Sequence, residues 1–257
     1  MRPRGTTLLE TVVSLGIFSL LSIVLFSAFK LGTDLWRSVD SRTEGLGRIQ
    51  ICNQRLTGDI VNTAAEEIRS KRVPGSGNGD AIWFLSNLDP TISDPLLERY
   101  RRDADGAPLW QRNIIYYLIR PANHNSMVGY SCQIDSNPEG DAICPHKMLI
   151  RKVVNVPADP EVLLDSTDID QYLTAPTGFD TSAFSSEPDL EEARIIAPEM
   201  LWFQAINHSE GDPFIELELR SLAIEEANRN VPIGNSPLTR FVITQTFSLF
   251  PGVQGEP

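Results

Sequence analysis

An apolar run from Thr6 to Phe29, broken by a single charge at Glu10, is the feature that most constrains this chain. As a helix it spans ~36 Å at ~1.5 Å per residue, enough to cross a bilayer core of ~30 Å. Arg2 and Arg4 precede the run and Lys30 closes it. Positive charge is retained on the cytoplasmic side, so the N-terminus is expected inside and everything after Lys30 outside. A carboxylate within such a segment is costly, which makes Glu10 a candidate functional residue.

Three origins of this segment are open. A cleaved secretory signal has an apolar core of roughly 7–15 residues and ends at a small-x-small site. This run is longer, and Phe29-Lys30-Leu31 offers no such site. A plain signal anchor accounts for the length and the arginines but leaves Glu10 unexplained. The third origin rests on Gly5-Thr6-Thr7-Leu8-Leu9-Glu10, which closely resembles the cleavage motif of type IV prepilins and type II secretion pseudopilins. That resemblance implies cleavage by a prepilin peptidase between Gly5 and Thr6, N-methylation of Thr6, and Glu10 as the fifth residue of the mature chain. The family usually starts its mature chain with Phe, where this sequence has Thr6.

Beyond Lys30 a helical period continues. Apolar residues recur at Leu35, Val39, Leu46, Ile49, Cys52, Leu56 and Ile60, with Arg42 in the remaining slot. Steps of three and four mark an amphipathic helix. Asp34, Ser38, Ser41, Glu44, Arg48, Arg55 and Asp59 fall on the opposite, polar face. One helix is expected from about Thr6 to about Ser70, with Arg69-Ser-Lys-Arg72 as its solvated end. The division is then a leader (1–5), a transmembrane helix (6–30), an amphipathic half-helix (31–72) and a β-rich domain (73–257).

Gly75, Gly77 and Gly79 read as a turn, since they precede a strand and no Gly-Lys-Ser/Thr follows. Ala81–Leu88, Arg112–Arg120 and Lys147–Val154 read as strands, the last two forming a hairpin around a polar excursion. Asn155 to Glu192 is an acidic, proline-rich stretch, within which Asp165-Ser-Thr-Asp168-Ile-Asp170 is expected to be a solvated acidic loop. Arg194–Ile206 is a strand pair or a strand bent at Pro198. Phe214–Glu225 opens with strict alternation, and Arg240–Phe250 is the last strand. The expected fold class is α+β: a long N-terminal helix on a meandering antiparallel β-sheet of six or seven strands, the helix-then-sheet order of a pilin.

Of three cysteines, Cys52 reads as a small buried hydrophobe. Cys132 and Cys144 can pair in an oxidising space, a short loop closure giving about 3 kcal/mol in the chain-entropy model. A zinc site from His124, Cys132, Cys144 and His146 is the sharper alternative, but it lacks C-x-x-C spacing. Asp165, Asp168 and Asp170 lack the spacing and closing glutamate of an EF-hand. Glu216 and Glu218 share the polar face of a strand. No catalytic motif is present, and no metal or cofactor is expected. With a net charge of −12, the chain is a poor nucleic-acid binder.

The strand segments Ile114–Ile119, Met148–Val154 and Phe214–Leu219 bear a weaker likeness to the J-type minor pseudopilins of type II secretion and the W-type minor pilins. What the resemblance implies is a minor pseudopilin or pilin-like subunit. Its partners would be prepilin peptidase, other pilin or pseudopilin subunits and the bacterial inner membrane. Glu10 would meet the new amino terminus of a neighbour, and Leu8, Leu15, Phe18, Leu25 and Phe26 would pack between subunits. The reading of a different class is an uncleaved, membrane-anchored extracytoplasmic binding or sensing domain.

Overall fold

The computed structural model describes residues 7–64, 67–75, 78–89, 108–129, 146–156, 162–208, 214–222 and 242–252, with positions 101, 102, 104, 106 and 144. Helix α1 (Leu8–Ile60) is continuous over 53 residues, a rod of ~80 Å at ~1.5 Å per residue. Among the described residues seven strands follow: β1 (Ile68–Arg72), β2 (Asp80–Ser86), β3 (Arg112–Ile119), β4 (Lys147–Val154), β5 (Leu190–His208), β6 (Phe214–Leu222) and β7 (Val242–Leu249). A short helix α2 (His124–Val128) lies between β3 and β4. The strands pair in chain order, each antiparallel to the next. The expected hairpin is present, with Ile114 opposite Val153 and Tyr117 opposite Ile150. The fold is thus α+β, a long apolar N-terminal helix packed on an antiparallel meander.

The sheet curls. β1 and β5 are separated by three strands in the sheet order, yet Asn207 Nδ2 donates to the carbonyl of Ile68 at 3.2 Å. The guanidinium of Arg72 also stands over the Trp202 ring at 5.3 Å. The concave core gathers Phe84, Tyr116, Leu149, Phe203 and Leu217 from five strands, and Ile49, Cys52, Leu56 and Ile60 of α1 close it. Of these, Ile49, Leu56 and Ile60 each contribute about 1.5–3 kcal/mol by leaving water. The strict alternation read in β6 holds: Ile215, Leu217 and Leu219 are buried, and Glu216 and Glu218 are not.

Several expectations need correction. The helix stops at Ile60 instead of continuing to about Ser70, and residues 69–72 lie in β1, paired with β2. Tertiary pairing decides here, since Ile68 opposite Phe84 inserts into the core. Thr63 turns the chain by donating its hydroxyl to the carbonyl of Leu85 at 2.6 Å. The C-terminal segment then covers the helix end, where Gly252 N–H donates to the carbonyl of Val61 at 3.1 Å. A Cβ at Gly252 would stand 2.2 Å from that oxygen, so only glycine fits. Residues 194–206 form one strand within β5, with register irregularities around Ala197 and Met200 and positive φ at Glu199.

In the acidic stretch Asp165, Asp168 and Asp170 are exposed, as expected, while apolar residues around them are buried. Residues 162–189 fold over the convex face of the sheet and bury Leu164, Ile169, Tyr172 and Phe184 against Trp83, Ile115, Tyr117 and Ile150. Trp83 Nε1 donates to the carbonyl of Leu164 at 2.7 Å, and Tyr117 Oη to that of Thr174 at 2.8 Å. Lys152 crosses from β4 into this layer, fully buried. It donates to both carboxylate oxygens of Glu187 at 2.7 Å and to the carbonyl of Tyr172 at 2.7 Å. Phe184 covers its ammonium, with the ring centroid 3.9 Å away.

Burial pushes the Lys152 ammonium down from 10.5 to about 8, against the pull of Glu187. Between those values the unfolded chain holds a proton that the folded chain has released, so this group adds stability as pH rises through that window. We expect Lys152→Met to lose that rise in denaturant titrations run across the window. At neutral pH it should cost about 3–5 kcal/mol, because it leaves Glu187 buried without its cation. Replacing Glu187 as well (Lys152→Met with Glu187→Gln) should recover most of the loss.

Candidate functional site

Among the described residues, none buries the first half of α1. Leu8, Leu15, Phe18, Leu25 and Phe26, the face expected to pack between subunits, are each more than two-thirds exposed. Among the described residues this is the one helix long and apolar enough to cross a membrane. Its polar side chains are suited to lipid. The hydroxyls of Ser19, Ser22 and Ser27 each donate at 2.8 Å to the carbonyl four residues earlier, which satisfies them without water. Trp36 stands exposed just past Lys30 and beside Arg37, the residue types that anchor a span at the headgroup level.

Glu10 has a local partner that the sequence reading missed. Thr7 is the N-cap of α1: its N–H donates to Glu10 Oε2 at 3.0 Å, and Glu10 N–H donates to Thr7 Oγ1 at 3.4 Å. This is a reciprocal capping box. The signal was available, because Thr7-Leu8-Leu9-Glu10 is a Thr-x-x-Glu immediately before an apolar run. Gly5 and Thr6, where cleavage and methylation are expected, lie outside the described residues.

The second half of α1 is fixed to the sheet by charge as well as by apolar packing. Asp59, placed on the polar face by its period, is buried instead. It accepts from Arg151 Nε at 2.7 Å and from Tyr116 Oη at 2.6 Å. Arg151 also reaches Glu192 at 3.2 Å. Burial opposes the charge on Arg151, but Asp59 outweighs it and carries its pKa above the ordinary value. Burial, then Asp59, pushes the Tyr116 hydroxyl well up, so Tyr116 stays a donor. Arg48, also assigned to the polar face, is buried; it pairs with Glu44 at 2.6 Å and Glu199 at 2.5 Å. Leu35 and Val39, assigned to the apolar face, are exposed. The docked surface of α1 therefore begins at Ser41.

Cys52 is buried, with its thiol pushed up to about 12 by burial, so it behaves as the small hydrophobe expected. Cys144 Sγ sits 3.2 Å from His124 Nε2, and the rings of His124 and His146 are 5.6 Å apart. The bond to Cys144 raises the pKa of His124. Cys132 lies outside the described residues, and so does any pairing it makes. Among the described residues no group of three His, Cys, Asp or Glu is arranged to hold a metal ion. The carboxylate of Asp165 is taken up locally by Thr167 and by the N–H of Asp168, and Asp170 pairs with Lys71 at 2.6 Å. Glu218 pairs with Arg220 at 2.6 Å, as a strand's polar face does.

Comparison with protein-family models, curated proteins and solved structures returns no match.

Removing Asp59 should show what the buried pair does. Asp59→Ala leaves Arg151 buried beside Tyr116 without its closest carboxylate, a change that costs about 3–5 kcal/mol when a buried pair is broken. Thermal melts should show that loss. Hydrogen exchange should rise first at the amides of residues 49–60, while the β3–β4 hairpin stays protected.

Proposed function

We propose that this chain is a minor pseudopilin or pilin-like subunit. Prepilin peptidase would cut between Gly5 and Thr6 and methylate Thr6. The helix would hold the subunit in the bacterial inner membrane, N-terminus cytoplasmic and globular domain periplasmic or extracellular. Other pilin or pseudopilin subunits would then assemble with it into a fibre of a type II secretion or type IV pilus system. The observation that carries this reading is Gly5-Thr6-Thr7-Leu8-Leu9-Glu10 at the head of an unpacked apolar helix whose other end is locked onto a sheet.

The physics of assembly follows from that arrangement. Cutting after Gly5 creates an ammonium at Thr6. In a staggered stack of such helices, the ammonium of one subunit meets Glu10 of its neighbour, and two ions that are costly alone in lipid neutralise each other. The exposed face from Leu8 to Phe26 packs in the same stack. Contacts of this kind run head to tail and do not close, so they propagate a fibre.

A second reading is favoured by the capping box. Glu10 is already engaged by Thr7, so an uncleaved anchor of an extracytoplasmic binding or sensing domain would also account for it. Glu10→Gln separates the two, because Gln preserves the box and removes the charge. Pull-down of the tagged chain with pseudopilins of its own cell should fall at least about tenfold, the loss of roughly 1.4 kcal/mol, if the charge joins subunits. Co-purification at the wild-type level would leave Glu10 as a helix cap only.

A further inference from the structure

An open cleft of about 340 Å³ runs between one flank of α1 and strands β4 and β5. Its charged lining is three guanidiniums, from Arg55, Arg151 and Arg194, against two carboxylates, from Asp59 and Glu192. Arg151 and Arg194 are register partners across β4 and β5. Like charges directly opposite disfavour a sheet, and Glu192 relieves them by reaching Arg151 at 3.2 Å and Arg194 Nε at 2.6 Å. Asp59 neutralises the other side of Arg151 at 2.7 Å. Both carboxylates are thereby used.

Arg55, one turn before Asp59 on the same row of α1, is exposed and makes no ion pair among the described residues. The Arg194 side chain is 64% exposed, and its shortest carboxylate contact is Nε to Glu192 at 2.6 Å. The rim therefore carries two exposed guanidiniums, in a chain whose net charge is −12. Ile51, Leu88, Ile195 and Ile196 are the apolar residues that line the same cleft.

We propose that this cleft binds an acidic peptide segment of a partner protein, taking one Asp or Glu carboxylate at the guanidiniums of Arg55 and Arg194 and a neighbouring apolar side chain against the exposed Ile51. A guanidinium fork matches a carboxylate edge. The lining has one cation in excess, which suits one carboxylate; a phosphate, at about −1.5 to −2, would stay under-neutralised. A lipid headgroup is out of reach. Arg55 lies 26 residues beyond Phe29 along a continuous helix, ~39 Å from the end of the apolar run at ~1.5 Å per residue. The site is built from the docked half of α1 and the sheet, so it stands whether or not the leader is cleaved.

The test uses the full chain in a nonionic detergent and fluorescence anisotropy of a labelled acetyl-Glu-Leu-Glu-Leu-Glu-amide peptide at low salt. The peptide should bind, and its Gln-for-Glu analogue should bind at least about tenfold more weakly, as for a charge pair that is lost. Arg55→Gln and Arg194→Gln should each weaken binding by a similar factor. Both side chains are exposed, so thermal melts of the two variants should match wild type. Equal affinity for the Glu and Gln peptides, or unchanged affinity in both variants, would overturn the proposal. So would displacement of the peptide by inorganic phosphate at ionic strengths where sodium chloride has no effect, since that result marks a small-anion site.

Discussion

One continuous helix has to satisfy two surroundings, and the rest of the structure depends on where it changes from one to the other. From Leu8 to Val39 no part of α1 is buried by the chain; from Ser41 to Ile60 one flank is locked to the sheet. Apolar packing of Ile49, Cys52, Leu56 and Ile60 supplies adhesion, but a greasy stripe alone slides and rotates easily. The buried contacts of Asp59 to Arg151 and Tyr116 set the axial register at one end, and Arg48 to Glu199 sets it about three turns earlier. Glu199 reaches Arg48 from a backbone with positive φ, a conformation uncommon for a residue with a Cβ. A strained residue at the point where helix and sheet are joined is consistent with a contact that the surrounding fold holds in place.

With the second half fixed, the first half becomes a rigid lever. Its serines are closed off within the helix, its tryptophan and basic residues collect just past the span, and its lone carboxylate sits in the first turn. In the uncut chain Glu10 is occupied by the N–H of Thr7. That pairing lowers the cost of a carboxylate near lipid, and in an assembled fibre an ammonium from a neighbour would compete for the same oxygens. The two arrangements share one residue, and Gln distinguishes them because it keeps the cap and loses the charge.

Much of the fold was legible because it is periodic. The apolar run, the β3–β4 hairpin and the alternation of Ile215, Leu217 and Leu219 follow from spacing alone. What the sequence hid was decided by long-range partners. Asp59 and Arg48 read as a solvent face because nothing near them in sequence reveals Arg151, some ninety residues on, or Glu199. Residues 69–72 carry only charges and a serine, so strand β1 is defined by its pairing with β2. In the acidic stretch, Leu164, Ile169, Tyr172 and Phe184 have no common period, and their burial is set by the convex face they cover. The capping box was a local signal, overshadowed by the likeness to a prepilin cleavage motif that shares its residues.

The most direct test of the central claim is the first residue of the chain purified from the membrane of its own cells. Intact and N-terminal peptide mass spectrometry should find Thr6 at the start, with the five-residue leader gone. A chain that retains Met1 through Gly5, or one cut beyond the apolar run so that Glu10 is lost, would contradict it.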